Sequence, residues 1–307
     1  MAQMTQTKKT AKILDGKKLS DSMAISLAKE ISAMKNSSAG IGKIVPKLVP
    51  KLVIVQVGDH EESNTYIRNK KRFGERIGAI VEHKKYAAGV SEKKLVSDIR
   101  RFNSDKSIHG IIVQLPISAH LDTNTVIETI DPKKDVDGMT SKSIKLIFEN
   151  KESFVPATPK GILALLDGYK IKLAGKKVTI VGHSVLVGKP MALAMLNRGA
   201  TVTVCHSKTK NLAEETKRAD IVVVAVGRAK LITKNHVSKG QVIIDIGINV
   251  QKTLAGKSAA SLKRKIVGDV DFEKVKEIVA AITPVPGGVG PMTIVSLFQN
   301  LVLASRA

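Results

Sequence analysis

Short apolar runs recur along the chain, with amphipathic stretches between most of them. The runs are rich in β-branched residues and lie at 52–57, 80–86, 108–115, 177–181, 201–205, 221–226 and 241–246. Their hydrophobicity is continuous rather than alternating, which is typical of strands that are buried on both faces. The pattern therefore predicts parallel sheets that are covered by helices on each side.

Stretches with helical periodicity separate or follow these runs, at 19–34, 63–77, 91–102, 123–129, 160–169, 191–197 and 292–307. Strands that alternate with helices are typical of α/β proteins. A chain of 307 residues is also long enough for two separate cores. We therefore predict two α/β domains, with a boundary near the prolines of residues 154–159 and a surface connection at 36–50.

The sequence PVPGGVGP at residues 284–291 concentrates three prolines and three glycines in eight positions. Proline fixes φ and removes an amide donor, whereas glycine permits positive φ and a close approach to the main chain. The run therefore predicts a shaped loop that no helix or central strand can run through. Because valines are interspersed in it, we expect this loop to pack against other parts of the protein rather than to act as a solvated linker.

The composition is that of an ordinary globular protein: 43% of the residues are hydrophobic, and no apolar stretch approaches the ~20 residues of a membrane span. The first residues contain no apolar signal-peptide core, so we expect a cytoplasmic protein without membrane contact. The single cysteine, Cys205, excludes an intrachain disulfide and a cysteine-cluster metal site. It lies within an apolar run, which favours a buried structural thiol over a nucleophile.

A formal net charge of +23 is the most unusual property of the composition. Such a charge can attract anionic ligands or nucleic acid, and it can also be a general property of a basic proteome. Aromatic residues make up only 3% of the chain and tryptophan is absent, so stacking platforms for single-stranded nucleic acid are not evident. Lysines are spread over most segments, and we therefore rank nucleic-acid binding well below an enzymatic function.

The predicted strand at 177–181 runs into the glycine turn GHSVLVGKP, which begins at Gly182 and includes Gly188, and then into a helix. This arrangement can bind a pyrophosphate at helix N-terminal amides. Its spacing departs from G-x-G-x-x-G, and many strand–helix turns carry two glycines without binding a nucleotide. NAD sites usually have a carboxylate about 20 residues further on. Here the sequence is Cys-His-Ser-Lys at 205–208, which favours the 2′-phosphate of NADP on charge grounds. Gly227 and the DIGIN sequence at 245–249 end later strands at the ligand-binding edge of such sheets.

Three features of the first half indicate a second group of functional side chains. Tyr66 and Lys70 are four residues apart on a predicted helix and therefore share a face, although such a pair taken alone is most often solvated. Gln114 is a polar residue at the end of a predicted parallel strand, where ligand groups collect. The loop at 131–138 carries three carboxylates, including Asp137, although loop acids usually cap or solvate and the ligands are too few for a metal site.

Eight motifs occur together and in order: YxxxK at 66–70, VQLP at 113–116, KDVDG at 134–138, PATP at 156–159, CHS at 205–207, DIGIN at 245–249, GDV at 268–270 and the run at 284–291. From about residue 13 to its end, the chain thereby resembles the bifunctional methylenetetrahydrofolate dehydrogenase/methenyltetrahydrofolate cyclohydrolase family. The resemblance implies an α/β catalytic domain with a parallel sheet, a Rossmann-type dinucleotide-binding domain and a folate cleft between them. It implies a discontinuous catalytic domain at 1–156 plus 285–307, a Rossmann domain at 157–284, and a homodimer.

The resemblance also implies roles for individual residues. Lys70 would be the central catalytic group, close to Gln114, while Tyr66 lines the site and Asp137 accepts hydrogen bonds from the pterin. The implied substrate-binding residues are Tyr66, Lys70, Gln114, Leu115, Asp137, Pro286, Gly287 and Gly288. The implied cofactor-binding residues are Gly182, His183, Ser184, Gly188, His206, Ser207, Lys208, Gly227 and Ile248, and no metal is expected.

The implied activity is oxidation of 5,10-methylenetetrahydrofolate with NADP, followed by hydrolysis of the methenyl product to 10-formyltetrahydrofolate. Two positions depart from the family pattern: His183 stands where an arginine commonly helps to bind the 2′-phosphate, and Ala157 stands where many relatives have cysteine. The first departure leaves NAD possible, and an NAD-linked dehydrogenase without hydrolase activity is the alternative. The second should have little consequence, because the family's mechanism does not use that thiol.

Overall fold

The computed structural model describes residues 10–36, 48–151, 154–254 and 262–306, so most of the connection predicted at 36–50 lies outside the described residues. The chain divides into two compact units. One consists of Met1–Leu19 and Ile162–Met292, and we call it the six-stranded unit after its main sheet. The other consists of Ser20–Gly161 and Thr293–Ala307, and we call it the three-stranded unit.

Helices and strands alternate along most of the described chain. The strands are β1 Lys12–Ile13, β2 Lys51–Val57, β3 Ile80–Tyr86, β4 Gly110–Gln114, β5 Lys177–Val181, β6 Thr201–Cys205, β7 Ile221–Val224, β8 Val242–Asp245, β9 Asn249–Leu254, β10 Leu262–Val267 and β11 Ala281–Ile282. The helices are α1 Gly16–Asn36, α2 Glu61–Ile77, α3 Glu92–Ser104, α4 Thr123–Glu128, α5 Ser141–Phe148, α6 Ala157–Gly168, α7 Gly188–Asn197, α8 Leu212–Lys217, α9 Phe272–Val275 and α10 Val289–Ala304, with a 3₁₀ turn at Lys234–His236. None of the described helices is both long and apolar enough to cross a membrane.

In the three-stranded unit the strands are parallel, in the order β3-β2-β4. The central strand β2 is buried after Lys51, as expected for a continuous apolar run. Its residues Val53 and Val55 pack in a core that includes Leu95 of α3. The register pairs Gln56 with Gln114, so the two glutamines lie side by side near the carboxyl end of the sheet.

Helix α2 packs tightly into this unit. The ring of Phe73 lies 5.2 Å from the ring of Phe298 in α10, measured between centroids. Gly74 permits the close approach, because a Cβ atom at this position would lie 2.4 Å from Cγ2 of Val81. The helix ends at Gly78, which has a φ of 80° in the left-handed region that glycine adopts without strain.

In the six-stranded unit the main sheet is parallel, in the order β1-β11-β8-β7-β5-β6. The chain passes from β5 to β6 on one side and then to β7 on the other side of β5. Parallel α/β sheets bind ligands at such a reversal, outside the carboxyl ends of the strands. A separate antiparallel pair, β9 and β10, follows β8 along the chain.

The predicted α/β class with parallel sheets is confirmed, and a strand is present at each of the seven predicted positions. The pattern did not predict β1, β9, β10, β11, or the short helices α5, α8 and α9. No helix runs through residues 284–291, as predicted, but α10 begins at Val289, three residues before the predicted start at Met292. Pro291 is tolerated in the first turn of α10, where an amide would have no partner within the helix.

We expect Gly74→Ala to lower the free energy of unfolding by about 1–3 kcal/mol, because the new methyl group would overlap the side chain of Val81 and press on the ring of Phe298. Urea denaturation of the purified variant measures the change. Gly89→Ala is the matched control, since nothing lies within 4 Å of a Cβ atom at that position. Equal stability of the two variants would contradict the close packing of α2.

Candidate active site

Tyr66 and Lys70 lie on α2 and are both partly buried. Burial raises the pKa of the Tyr66 phenol, and the charge of Glu62 adds to this effect. Burial lowers the pKa of the Lys70 ammonium, with the carboxylate of Asp137 acting in the opposite direction. Lys70 therefore loses its proton more readily than an exposed lysine does.

The amine of Lys70 is held at the carboxyl end of β4. Lys70 Nζ donates a hydrogen bond of 2.9 Å to Gln114 Oε1. Gln114 Nε2 donates in turn to the carbonyl of Leu115 at 3.1 Å, which orients the amide so that its oxygen accepts from the lysine. The following Leu115–Pro116 peptide bond is cis. Three of the predicted residues are thus brought together.

The three carboxylates of the loop before α5 have different environments. Asp131 accepts an amide hydrogen bond within its own turn. Asp135 is buried and accepts hydrogen bonds from Thr140 N at 2.8 Å and from Ser143 Oγ at 2.7 Å. Asp135 therefore holds the start of α5, and its carboxylate is shielded from solvent. Asp137 is the loop carboxylate that interacts with the charge of Lys70.

Asp137 is partly buried, and burial raises the pKa of its carboxyl group. The ammonium of Lys70 opposes this effect, the charge of Asp135 adds to it, and a hydrogen bond from the amide of Ala157 lowers the pKa again. Burial has the largest effect, so the net pKa is raised. Lys70 and Asp137 thus form an electrostatically coupled pair in which burial shifts both groups towards their neutral forms.

Asn300, on α10, fixes the chain close to Asp137, and nothing in the local sequence predicted this role. Its Nδ2 donates to the carbonyl of Val136 at 2.8 Å and to that of Val155 at 3.0 Å. Its Oδ1 accepts from Lys160 Nζ at 2.6 Å. Burial lowers the pKa of Lys160 to about 8. One buried asparagine therefore ties together the segment before Asp137, the segment before α6, and α6 itself.

Gln56 is a second residue that sequence reasoning missed, although its signal was the same as that of Gln114, a polar residue near the end of a parallel strand. Its side chain is buried, and its Nε2 donates to Asn64 Oδ1 of α2 at 2.8 Å. Its Oε1 is 2.8 Å from His83 Nε2, which must be the donor because the amide oxygen can only accept. The two adjacent glutamines thus bind α2 at two points, at Asn64 and at Lys70.

In the six-stranded unit, the predicted glycine turn follows β5. Gly182 has a φ of 122°, and its amide donates to the carbonyl of Cys205 at 2.8 Å. A Cβ atom at Gly188 would lie 2.2 Å from the carbonyl oxygen of Gly182, so this position requires glycine. Ser184 Oγ accepts from the amides of Val187 and Gly188 at 3.2 and 3.3 Å. The hydroxyl of Ser184 therefore shapes the turn that leads into α7.

The ends of β5 and β6 bring two predicted residues together. The rings of His183 and His206 lie 4.9 Å apart between centroids, at an interplanar angle of 47°. Nδ1 of His206 accepts from the amide of Lys208 at 3.1 Å, so Nε2 carries the proton of the neutral ring. His183, His206, Ser207 and Lys208 are all exposed, whereas Cys205 is buried as predicted and burial raises the pKa of its thiol.

Exposed apolar side chains lie on three loops that follow strands of the main sheet. They are Val185 and Leu186 after β5, Val226 after β7 and Ile248 after β8. Gly227, next to Val226, has a φ of 64°, and nothing lies within 4 Å of a Cβ atom at that position. These loops thus present an open surface with apolar side chains at the carboxyl edge of the sheet, which suits an extended ligand with aromatic rings.

Pro286, Gly287 and Gly288 belong to the six-stranded unit and lie against the start of α1. The carbonyl of Gly287 accepts from the amide of Lys17 at 2.9 Å. A Cβ atom at Gly16 would lie 1.9 Å from the carbonyl oxygen of Gly288, so the two backbones approach as closely as the glycines of the run suggested. Among the described residues, no group of three or more His, Cys, Asp or Glu side chains is arranged to hold a metal ion.

Two family models match the chain. Residues 14–137 match the catalytic domain of tetrahydrofolate dehydrogenase/cyclohydrolase, and residues 156–307 match the NAD(P)-binding domain of the same family. Among similar proteins, a bifunctional protein FolD from Halalkalibacterium halodurans is 42% identical over 297 residues, which cover 97% of this chain and 99% of that protein.

Solved structures are similar over both units. The bifunctional enzyme FolD, a methylenetetrahydrofolate dehydrogenase/cyclohydrolase from Campylobacter jejuni, has a TM-score of 0.88 and 37% identity, with coverage of 96% of this chain and 99% of that chain. The methylenetetrahydrofolate dehydrogenase-cyclohydrolase (FolD) of Trypanosoma brucei, complexed with NADP cofactor and inhibitor, has a TM-score of 0.88 and 28% identity, with coverage of 97% and 98%.

We expect the stability difference between the wild-type chain and Lys160→Met to depend on pH. Burial lowers the folded-state pKa of Lys160 from 10.5 to about 8, so the folded chain binds this proton less tightly than the unfolded chain does. The stability of the wild type should therefore rise relative to the variant, by about 2–3 kcal/mol, as the pH increases from about 8 to about 10.5. Urea denaturation near pH 7 and near pH 10 measures the change, with Lys93→Met on the exposed face of α3 as control. A difference that stays constant with pH would contradict the burial of this amine.

Proposed function

Because the chain belongs to the tetrahydrofolate dehydrogenase/cyclohydrolase family, we propose that it catalyses two consecutive steps of one-carbon folate metabolism. It oxidises 5,10-methylenetetrahydrofolate to the 5,10-methenyl form with NADP, and it hydrolyses this product to 10-formyltetrahydrofolate. The observation that carries the proposal is the amine of Lys70, which is held by Gln114 and coupled to Asp137. The similar proteins of H. halodurans and C. jejuni are both bifunctional by name, which supports the assignment of both steps.

The hydrolytic step needs a group that exchanges a proton with the water that attacks the methenyl bridge. A lysine suits this task when its pKa lies closer to neutrality than usual, and burial lowers the pKa of Lys70. The positive charge of the bound methenyl group lowers it further. Gln114 is an uncharged acceptor, so it orients Nζ without stabilising the ammonium as strongly as a carboxylate would. In this proposal Lys70 is the acid–base group, and Tyr66 lines the site beside it.

Binding of the folate is assigned to the groups around this lysine. A pterin presents neighbouring N–H donors, and a carboxylate such as that of Asp137 accepts such donors in pairs. These proposed substrate-binding residues are Tyr66, Lys70, Gln114, Leu115 and Asp137. The family resemblance adds Pro286, Gly287 and Gly288 as further substrate-binding residues. Catalytic roles are assigned to Lys70, Tyr66, Gln114 and Asp137.

The dinucleotide is assigned to the carboxyl edge of the six-stranded sheet. When bound, NADP accepts the hydride of the methylene bridge, which requires close placement rather than an acid or a base. The turn of Gly182, Ser184 and Gly188 and the first amides of α7 suit the pyrophosphate. The remaining proposed contacts are His183, His206, Ser207 and Lys208 at the 2′-phosphate, and Gly227 and Ile248 at the nicotinamide. The absence of a carboxylate in the turn after β6 supports NADP over NAD.

The two functions are assigned to different parts of the chain. Following the family resemblance, folate binding and catalysis are assigned to residues 1–156 plus 285–307, and dinucleotide binding to residues 157–284, although Met1–Leu19 and residues 285–292 are part of the six-stranded unit. The order of the two family matches, over 14–137 and 156–307, supports this order along the chain. We also propose that the protein is a cytoplasmic homodimer, because the family resemblance implies that assembly.

A dehydrogenase that uses NAD, without hydrolase activity, is the second candidate. The observation that favours it is His183, which lies against the ring of His206 where the family commonly has an arginine. An imidazole offers the 2′-phosphate less charge than a guanidinium and no bidentate hydrogen bond.

We expect Lys70→Met to reduce the hydrolysis of methenyltetrahydrofolate by about 100- to 10,000-fold, the range that is typical for loss of a general acid–base group. The assay follows the disappearance of the methenyl compound by absorbance. Lys71→Met is the matched control, because it removes the next lysine of the same helix and should retain activity. Near-normal hydrolysis by the Lys70 variant would refute the role given to this residue.

We expect kcat/KM to be at least about tenfold higher with NADP than with NAD, since hydrogen bonds to a charged group contribute about 1.5–3 kcal/mol. His183→Arg should increase the ratio, because a guanidinium binds a phosphate in bidentate fashion. The measurement is the initial rate of dinucleotide reduction with each cofactor, and His120→Arg, in the other unit, is the control. A wild-type preference for NAD would favour the second candidate and would show that Ser207 and Lys208 do not form a phosphate site.

A further inference from the structure

Two buried carboxylates, next to the loops of the proposed dinucleotide surface, have no role in the proposed function. Asp245 ends β8 and is 3% exposed, and Asp269 follows β10 and is 0% exposed. Buried carboxylates are retained only where several donors satisfy them. We call Asp245 and Asp269 the carboxylate pair, and the donors that bind them show what the pair holds in place.

Asp269 binds two loops at once. Its Oδ2 accepts from the amides of Val226 and Gly227 at 2.8 and 2.9 Å. Its Oδ1 accepts from the side-chain amide of Asn249 at 2.9 Å. The first two donors belong to the loop after β7, and the third belongs to the residue directly after Ile248. One carboxylate therefore links the loop after β7 to the start of β9, directly after the loop that carries Ile248.

Asp245 holds Asp269 in position. Its Oδ1 accepts from the amides of Gly247 and Asp269, and its Oδ2 accepts from the amide of Val270, each at 3.0 Å. The amide of Asp245 itself donates to Thr283 Oγ1 at 2.8 Å. Burial raises the pKa of the Asp245 carboxyl group to about 7, with the three amide donors acting against burial. The aspartates thus form a chain of hydrogen bonds that ends at the two loops.

The close packing of the pair explains two glycines of the sequence motifs. A Cβ atom at Gly268 would lie 1.8 Å from Asp245 Oδ2. A Cβ atom at Gly247 would lie 2.2 Å from Asp269 Cγ. Any side chain at either position would therefore displace a carboxylate, which indicates that glycine and aspartate are required together in the DIGIN and GDV motifs.

The loops that Asp269 holds carry residues with exposed apolar side chains. Val226 is 36% exposed and Ile248 is 45% exposed, while the carboxylate that binds the amide of Val226 and the side chain of Asn249, next to Ile248, is completely buried. An apolar surface can orient a ring only if its backbone does not move when the ring binds. The carboxylate pair supplies this rigidity from behind the surface.

We propose that Asp269 is a positioning residue for the dinucleotide: by binding the amides of Val226 and Gly227 and the side chain of Asn249, it holds the surface on which the nicotinamide ring lies. This inference rests on the proposed function. A carboxylate is needed because two amides point at a single oxygen and a third donor binds the other. An asparagine at this position would turn an NH2 group towards one of these donors.

The test is Asp269→Asn, assayed in both activities of the protein. We expect KM for NADP to rise about 10- to 100-fold, since the remaining hydrogen bonds lose their charge assistance and one donor faces the NH2 group of the asparagine. Hydrolysis of methenyltetrahydrofolate needs no dinucleotide, and we expect its kcat/KM to stay within about twofold of the wild-type value. Asp98→Asn is the matched control, because Asp98 is a buried carboxylate of the three-stranded unit that binds Tyr86 and Lys94. It should leave KM for NADP unchanged.

An unchanged KM for NADP in the Asp269 variant would overturn the proposal, and so would a parallel loss of both activities, which a purely structural role predicts. If Asp269→Asn does not yield folded protein, Asn249→Ala provides the test, because it removes one donor and leaves the carboxylate in place. We then expect KM for NADP to rise at least about threefold with hydrolysis retained, and no change would refute the role.

Calorimetric titration with NADP measures binding without turnover. A wild-type chain that binds NADP but lacks dehydrogenase activity would therefore contradict the proposed function and not the role of Asp269.

Discussion

Parallel strands must end at the same edge of their sheet, and both groups of candidate site residues depend on this constraint. In the three-stranded unit it places Gln56 beside Gln114, and each glutamine binds a different residue of α2. In the six-stranded unit it brings the loops after β5, β6, β7 and β8 to one edge of the sheet, next to the reversal of strand order. Residues that are far apart in sequence thus become neighbours because each one follows a strand.

The buried amines and the buried carboxylate pair have different types of hydrogen-bond partner. Lys70 and Lys160 both donate to the oxygen of a neutral amide, and burial lowers the pKa of both amines. Asp245 and Asp269 instead accept several backbone amides, which suits a group that must stay in one place. A neutral partner fixes the position of an amine and leaves its proton mobile, whereas converging amides immobilise a carboxylate.

Part of the candidate site could be predicted because its signal was local. The spacing of Tyr66 and Lys70 predicts a shared helix face, and the position of Gln114 at a strand end predicts its place at the sheet edge. The choice of Asp137 among the three loop carboxylates could not be derived from the loop alone. It depends on the fact that Thr140 and Ser143 bind Asp135, and this contact forms only when the chain is folded. Asn300 had no local signal, because an asparagine within a helix is ordinarily exposed and all its partners belong to other segments.

The sequence by itself determined the principal strands and helices, the parallel arrangement of the sheets and the family, because side-chain periodicity and ordered motifs are properties of short segments. Only the tertiary structure decided that β1 extends the sheet beside β11, that α10 begins within the proline-rich run, and that Asp245 and Asp269 form a buried pair. The two-residue strand β1 carries too few residues for a period, and the burial of a polar group depends on segments that meet only when the chain is folded. Periodicity therefore predicts which elements form, whereas the hydrogen bonds that shape the site follow from their packing.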